Sequence, residues 1–135
     1  KIFQLKEIDY LKREVTYGNS RFDLYYEKGK QKGFIEVKGV TLEIDGISTF
    51  PDAPTKRGVK HIFELIESQR EGFQNYVFFL IQIDGIRYFR PNVAMDIDFS
   101  NSLILAKKEG VNILAYNSII TRDTIDIGEN VEILI

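Results

Sequence analysis

The chain has 135 residues, 20 acidic and 18 basic side chains, one histidine and a formal charge of −2 at neutral pH. That length suits a single domain able to bury a core. The charge balance excludes a broadly basic nucleic-acid binder, so any phosphate site must be local or must borrow charge from a metal. The chain has no cysteine, which excludes disulfides and thiolate metal sites. This fits a reducing interior, and a cytoplasmic location is expected. No apolar run reaches membrane-spanning length and no signal peptide is visible, so no membrane partner is expected. The chain opens at Lys1 without an initiator Met, and its one methionine is Met95. This suggests a piece of a longer protein.

Residues 3–15 predict a first helix, because Ile2, Leu5, Ile8 and Leu11 or Val15 recur near one face. The turn chemistry of Tyr17-Gly18-Asn19-Ser20 ends it. Residues 21–27 predict a strand with Phe22, Leu24 and Tyr26 facing one way and Arg21, Asp23 and Tyr25 the other. Lys28-Gly29-Lys30-Gln31 predicts a tight turn with Gly29 at positive φ.

The next strand, Phe34-Ile35-Glu36-Val37-Lys38-Gly39-Val40, is where chemistry is expected. Alternation points Glu36 and Lys38 the same way and Ile35 and Val37 to the opposite face. A carboxylate and an ammonium side by side at the edge of a sheet can hold a metal ion and an activated water, if a second carboxylate is near. Most Glu-x-Lys pairs are solvated surface neighbours worth little, so the pair needs company. The hairpin supplies it. With the turn centred on Gly29-Lys30, Asp23 falls opposite Glu36 and Arg21 opposite Lys38. Opposed side chains lie about 4.5–5.5 Å apart at Cβ. Two carboxylates at that distance repel unless Lys38 or a cation lies between them.

Residues 41–50 predict a further strand or hairpin turning at Asp45-Gly46, and 50–55 a loop. Thr55 is the expected N-cap of a helix over 56–71 that ends at Gly72, with Val59, Ile62, Phe63, Leu65 and Ile66 as its buried stripe. Its first turns carry Lys56, Arg57, Lys60 and His61. Near a helix N-terminus such groups would grip a phosphate; on a solvated face they would do nothing. The single His61 is too weak a signal for a metal ligand or general base, and Asp52 is given a capping or loop role.

Residues 75–83 form a continuous apolar run, the pattern of a central strand buried on both faces. A turn at Asp84-Gly85, a short strand over 86–89 and a helix over 99–109 follow. That helix has Leu103, Ile104 and Ala106 inward and Gly110 just past its end. A strand over 111–119 and one or two edge strands within 124–135 complete the chain. The order αβββαβ and then αβ predicts a mixed α/β sheet flanked by helices.

Three segments bear a family likeness. They are Arg13-Glu14-Val15-x-Tyr17-Gly18-x-Ser20-Arg21-Phe22-Asp23, Glu36-Val37-Lys38-Gly39-Val40-Thr41-Leu42 and Phe50-Pro51-Asp52-Ala53-Pro54-Thr55-x-Arg57-Gly58-x-Lys60-His61. With the weaker Pro91-Asn92 and Asp96-x-x-Phe99, they make residues 14–116 resemble the sugar fermentation stimulation protein A family. The resemblance implies a restriction-endonuclease-like PD-(D/E)XK fold, DNA binding and a role in regulating sugar use. It also implies a small oligonucleotide-binding barrel ahead of this domain. The nuclease pattern falls on Asp23, Glu36 and Lys38, with Phe22 where that pattern has proline.

On that analogy Asp23, Glu36 and the Val37 carbonyl would ligate Mg²⁺ or Mn²⁺, with Glu14 as a further candidate ligand. Lys38 would orient or deprotonate a water. Arg21, Lys56, Arg57, Lys60 and His61 would contact the nucleic acid, DNA or alternatively RNA, and duplex cutting would call for a homodimer. The competing reading is a DNA-binding regulator that keeps the fold without cleaving. A sugar-binding module is disfavoured, since no cluster of aromatics and amides supports it.

Overall fold

The computed structural model describes residues 7–120 and 125–135. Within them the chain runs β1 (Tyr10–Tyr17), β2 (Ser20–Lys28), β3 (Gln31–Val40), β4 (Leu42–Ile44), β5 (Ile47–Phe50), α1 (Lys56–Arg70), β6 (Tyr76–Ile81), β7 (Tyr88–Pro91), α2 (Ile97–Lys108), β8 (Asn112–Ile120), β9 (Ile125–Asn130) and β10 (Glu132–Ile133). Six strands form one sheet in the order β1-β2-β3-β6-β8-β9, and four form a second in the order β10-β7-β5-β4. The β3, β6 and β8 strands are parallel, and antiparallel strands flank them. Parallel neighbours need a crossover, and α1 and α2 supply the two that this sheet centre requires. The expected mixed α/β arrangement is therefore present, with two of its three expected helices formed. No helix among the described residues is long and apolar enough to cross a membrane.

The core explains why these segments meet. Ile62, Leu65 and Ile66 of α1 and Phe99, Leu103 and Ala106 of α2 are buried in one cluster with Phe34, Val77, Phe79 and Ala115 of the sheet. Each such side chain contributes about 1.5–3 kcal/mol by leaving water. Tyr26, Ile35, Tyr76, Phe78, Leu114 and Tyr116 form a second cluster on the opposite face, and no described helix contributes to it. The expectation of helices on both faces thus becomes two helices sharing one face. Burial pushes the Tyr26 phenol up to about 12; its hydroxyl donates to the Gln74 carbonyl at 2.6 Å.

Four expectations are corrected. The helix over 3–15 is not formed in its described part: Tyr10–Tyr17 is an edge strand paired antiparallel to β2, and residues 3–6 lie outside the described residues. A row of backbone partners on β2 outweighs a modest helical periodicity. Strict alternation in β2 also fails. Leu24 and Tyr26 belong to one cluster and Phe22 to the other, because the ladder is interrupted at Asp23. Phe63 and Ile104, expected inward, are exposed. The short strand falls at 88–91 rather than 86–89, and Pro91, which donates no hydrogen bond, ends it.

The β2–β3 turn is as expected, with Gly29 at φ 60°. Gly33 has a different reason to be glycine. A Cβ there would lie 1.9 Å from the Gln74 carbonyl oxygen, where the chain entering β6 crosses β3 and Gln74 N–H donates to Lys32 O at 2.8 Å.

Candidate functional site

From Lys28↔Gln31 to Leu24↔Ile35 the β2–β3 partners follow the register that the turn predicts. The next opposed residues are Asp23 and Glu36, and there side chains take over from the backbone. Asp23 Oδ2 accepts the Val37 N–H at 2.8 Å, and Glu36 Oε1 accepts the Asp23 N–H at 3.3 Å. Each carboxylate is tied to the other's strand. On the outer side, Glu14 in β1 has φ 51°, the left-handed region that a Glu seldom adopts, and the β1–β2 register skips the Glu14–Asp23 pair.

Lys38 lies on the Glu36 side, its Nζ 3.3 Å from Glu36 Oε2, with side chains 14% and 4% exposed. The same Oε2 is met from α1 by His61 Nδ1 at 2.6 Å. His61 was expected to contact a phosphate; its ring lies against the Glu36 carboxylate and lines the same cleft. The helix that carries it starts at the Thr55 cap, whose Oγ1 accepts the Gly58 N–H at 2.9 Å. Buried Asn75 ties that helix to β3: it accepts the Phe34 N–H and donates to Leu65 O, both at 2.8 Å.

Glu14, Arg21, Phe22, Asp23, Glu36, Val37, Lys38, Arg57 and His61 line one cleft of about 290 Å³. The expected acid–acid–lysine trio is therefore brought together with Val37, Glu14, Arg21, Arg57 and His61. Glu14 reaches it from a strand rather than from a helix end, and is paired at the surface with Arg21 at 2.9 Å. Lys56 and Lys60 lie apart from it. Lys56 lines a groove of about 470 Å³ between α1 and α2, and Lys60 pairs with Glu64 at 3.6 Å. Asp52 is exposed in the loop before α1.

The donor set fits a hard cation only as a partial shell. Among the described residues no three His, Asp or Glu side chains form a group able to hold a metal. What the cleft offers is the carboxylates of Asp23 and Glu36 beside Val37, with Glu14 also in its lining. Such oxygen donors, completed by waters, suit Mg²⁺ or Mn²⁺, which give up their hydration reluctantly.

Sequence reasoning missed the contact between His61 and Glu36. Its signal lay in the helix period: His61 stands four residues before Leu65, on the same buried stripe. The bridge made by Asn75 left no such trace, because its partners are adjacent only in space.

These elements define a mixed α/β domain whose strand hairpin and crossover helix enclose a cleft holding carboxylates, a lysine and a histidine. Residues 1–124 match the family described as "Sugar fermentation stimulation protein RE domain", and the chain belongs to that family, as its motifs suggested. A sugar fermentation stimulation protein homolog of Alkaliphilus oremlandii is 47% identical over 137 residues, covering 98% of this chain and 58% of that protein. One from Desulfitobacterium hafniense is 49% identical over 128 residues, covering 95% and 56%. The solved structure described as Pyrococcus furiosus SfsA in complex with Ca²⁺ superimposes with a TM-score of 0.92 at 28% identity, over 99% of this chain and 58% of that one. The chain thus spans a little under three fifths of the length of the relatives it matches.

Proposed function

We propose that this domain binds DNA and hydrolyses its phosphodiester bonds with the aid of a divalent cation, Mg²⁺ or Mn²⁺, on a restriction-endonuclease-like PD-(D/E)XK core. The observation that carries this reading is the convergence of Asp23 and Glu36 across the hairpin with Lys38 beside them. The parallel β3–β6 pair joined through α1 supports it, and so does the Ca²⁺ in complex with the Pyrococcus furiosus relative, another hard, oxygen-preferring ion.

Asp23, Glu36 and the Val37 carbonyl would hold the cation, with Glu14, in the lining of the same cleft, as a further candidate that would have to move inward to join them. A cation bound there acidifies a water and offsets charge on the phosphate. Lys38 orients the attacking water and stabilises the charge that builds on the phosphoryl oxygens. Arg57 and Arg21, both lining the cleft, hold the phosphate in place, aided by the positive end of α1. RNA is the alternative substrate, and duplex cutting would require two copies of the domain. The setting is the cytoplasm, the biological outcome is control of sugar use, and in the whole protein an oligonucleotide-binding barrel would add DNA affinity.

A second reading has one observation in its favour: the family's name describes a sugar-fermentation effect rather than a cut. On that reading the domain is a DNA-binding regulator that does not cleave. The test is incubation with single-stranded, duplex and branched DNA, and with RNA, in Mg²⁺ or Mn²⁺, alongside Asp23→Ala and Lys38→Ala. Cleavage by the parent that both substitutions abolish supports the nuclease. Binding without cleavage, equal in all three proteins, supports the regulator.

A further inference from the structure

We infer that His61 is a positioning residue for Glu36, fixing the rotation of its carboxylate so that one edge stays open to a cation. This rests on the proposal that Glu36 ligates a divalent ion. Both residues are interior, His61 9% and Glu36 3% exposed. The 2.6 Å contact from Nδ1 is the shortest that Glu36 makes; the Lys38 ammonium and the Asp23 N–H each stand at 3.3 Å. An ionised carboxylate has no proton to give, so Nδ1 carries the hydrogen and donates it.

The geometry is held from both sides. Glu36 sits in β3, two residues from Phe34, whose N–H donates to Asn75. Asn75 in turn donates to Leu65 O and to Ser68 Oγ, at 2.8 and 2.6 Å, on the helix that bears His61. One buried amide therefore locks the strand of the carboxylate to the helix of its donor. Lys38, on a flexible four-carbon stem, cannot impose the same orientation. Without the imidazole the carboxylate keeps only the two longer contacts, from the Lys38 ammonium and the Asp23 N–H at 3.3 Å each, and its rotation is no longer fixed. Outer partners of this kind change cation affinity by about 10–100-fold.

The test is a calorimetric titration of Mn²⁺ into the whole chain and three variants. In His61→Asn the amide nitrogen is bonded to Cγ, as Nδ1 is, so it can donate from the same place. In His61→Gln the nitrogen is one atom further out, and in His61→Leu there is no donor. The expected result is parental affinity in His61→Asn and affinity weaker by about 10–100-fold in His61→Gln and His61→Leu. If His61→Leu fails to fold, the Asn–Gln contrast carries the test, since two amides of the same chemistry differ only in where the donor sits. Equal affinity in parent, Asn and Gln variants overturns the inference, and so does equal weakening in the Asn and Gln variants, which would mean packing alone. If the parent itself binds no Mn²⁺, the metal-site reading fails, and this inference with it.

Discussion

Asp96 serves two elements with one side chain. Its Oδ1 accepts the Phe99 N–H at 3.0 Å and caps α2, while its Oδ2 accepts the Thr55 N–H at 2.8 Å just before α1. These backbone donors, that of Thr55 first, hold its carboxyl below the usual range. The lowered folded value fixes the sign. The stabilisation is complete above the unfolded carboxyl value of about 3.9 and is lost as pH falls through the lower folded one. Asp96→Ala is expected to cost about 1–2 kcal/mol near neutral pH, and the gap to the parent should narrow below about pH 4. Urea denaturation at pH 7 and pH 3 measures both. Asn75, fully buried, is the costlier loss. Asn75→Ala strands the Phe34 N–H and takes one of two side-chain donors from the Leu65 carbonyl, which keeps the Ser68 hydroxyl at 3.2 Å, for an expected cost of about 1–3 kcal/mol in the same experiment. The Thr55 cap was legible because it acts over three residues, whereas Asp96 was read only as part of a weak family match and its second bond, to Thr55, spans the chain. Asn75 was not legible, because its partners come from β3 and α1.

Between elements, the hairpin and the first strand teach opposite lessons. The β2–β3 register followed from one local turn and two alternating arms, and it located Asp23 against Glu36 before any fold was known. β1 carries an equally regular pattern that reads as helix, yet its backbone groups find their partners on β2. Edge strands of this kind are set by the neighbour they join, which a single segment does not reveal. The break in alternation at Phe22 was hidden for the same reason: it falls where the β2–β3 ladder ends and Asp23 Oδ2 accepts the Val37 N–H of the next strand. The approach of Gln74 to β3 gives a direct test at this scale. Gly33→Ala places a methyl group 1.9 Å from a carbonyl oxygen, and the strands must part to admit it. The expected loss is about 3 kcal/mol in chemical denaturation.

Across the whole molecule, a net charge of −2 means that any attraction for DNA must come from a few local groups. The cleft gathers Arg21, Lys38 and Arg57, but also Glu14, Asp23 and Glu36, so the acids need neutralising before a phosphate can approach. Under the proposed function, binding should weaken steeply with salt, and Arg57→Ala should reduce the slope of log affinity against log salt by about one. Fluorescence anisotropy at several salt concentrations reads this. The trio of Asp23, Glu36 and Lys38 was legible because strand geometry and motif agreed. The fourth member, His61, was grouped with Arg57 and Lys60 as a phosphate contact, because its burial against Glu36 depends on how α1 lies across the sheet.

The β2–β3 ladder stops at Leu24↔Ile35, so the hairpin is a zip left partly undone at the end that faces the cleft. An ion seated there would act as a rivet through both strands. Mn²⁺ at 100 times its dissociation constant should then add about 2.7 kcal/mol to stability. It should also slow amide hydrogen exchange at Asp23 and Val37, and a chelator should reverse both effects. A melting temperature and an exchange profile indifferent to Mn²⁺ would mean that the open teeth of this zip are held by hydrogen bonds alone.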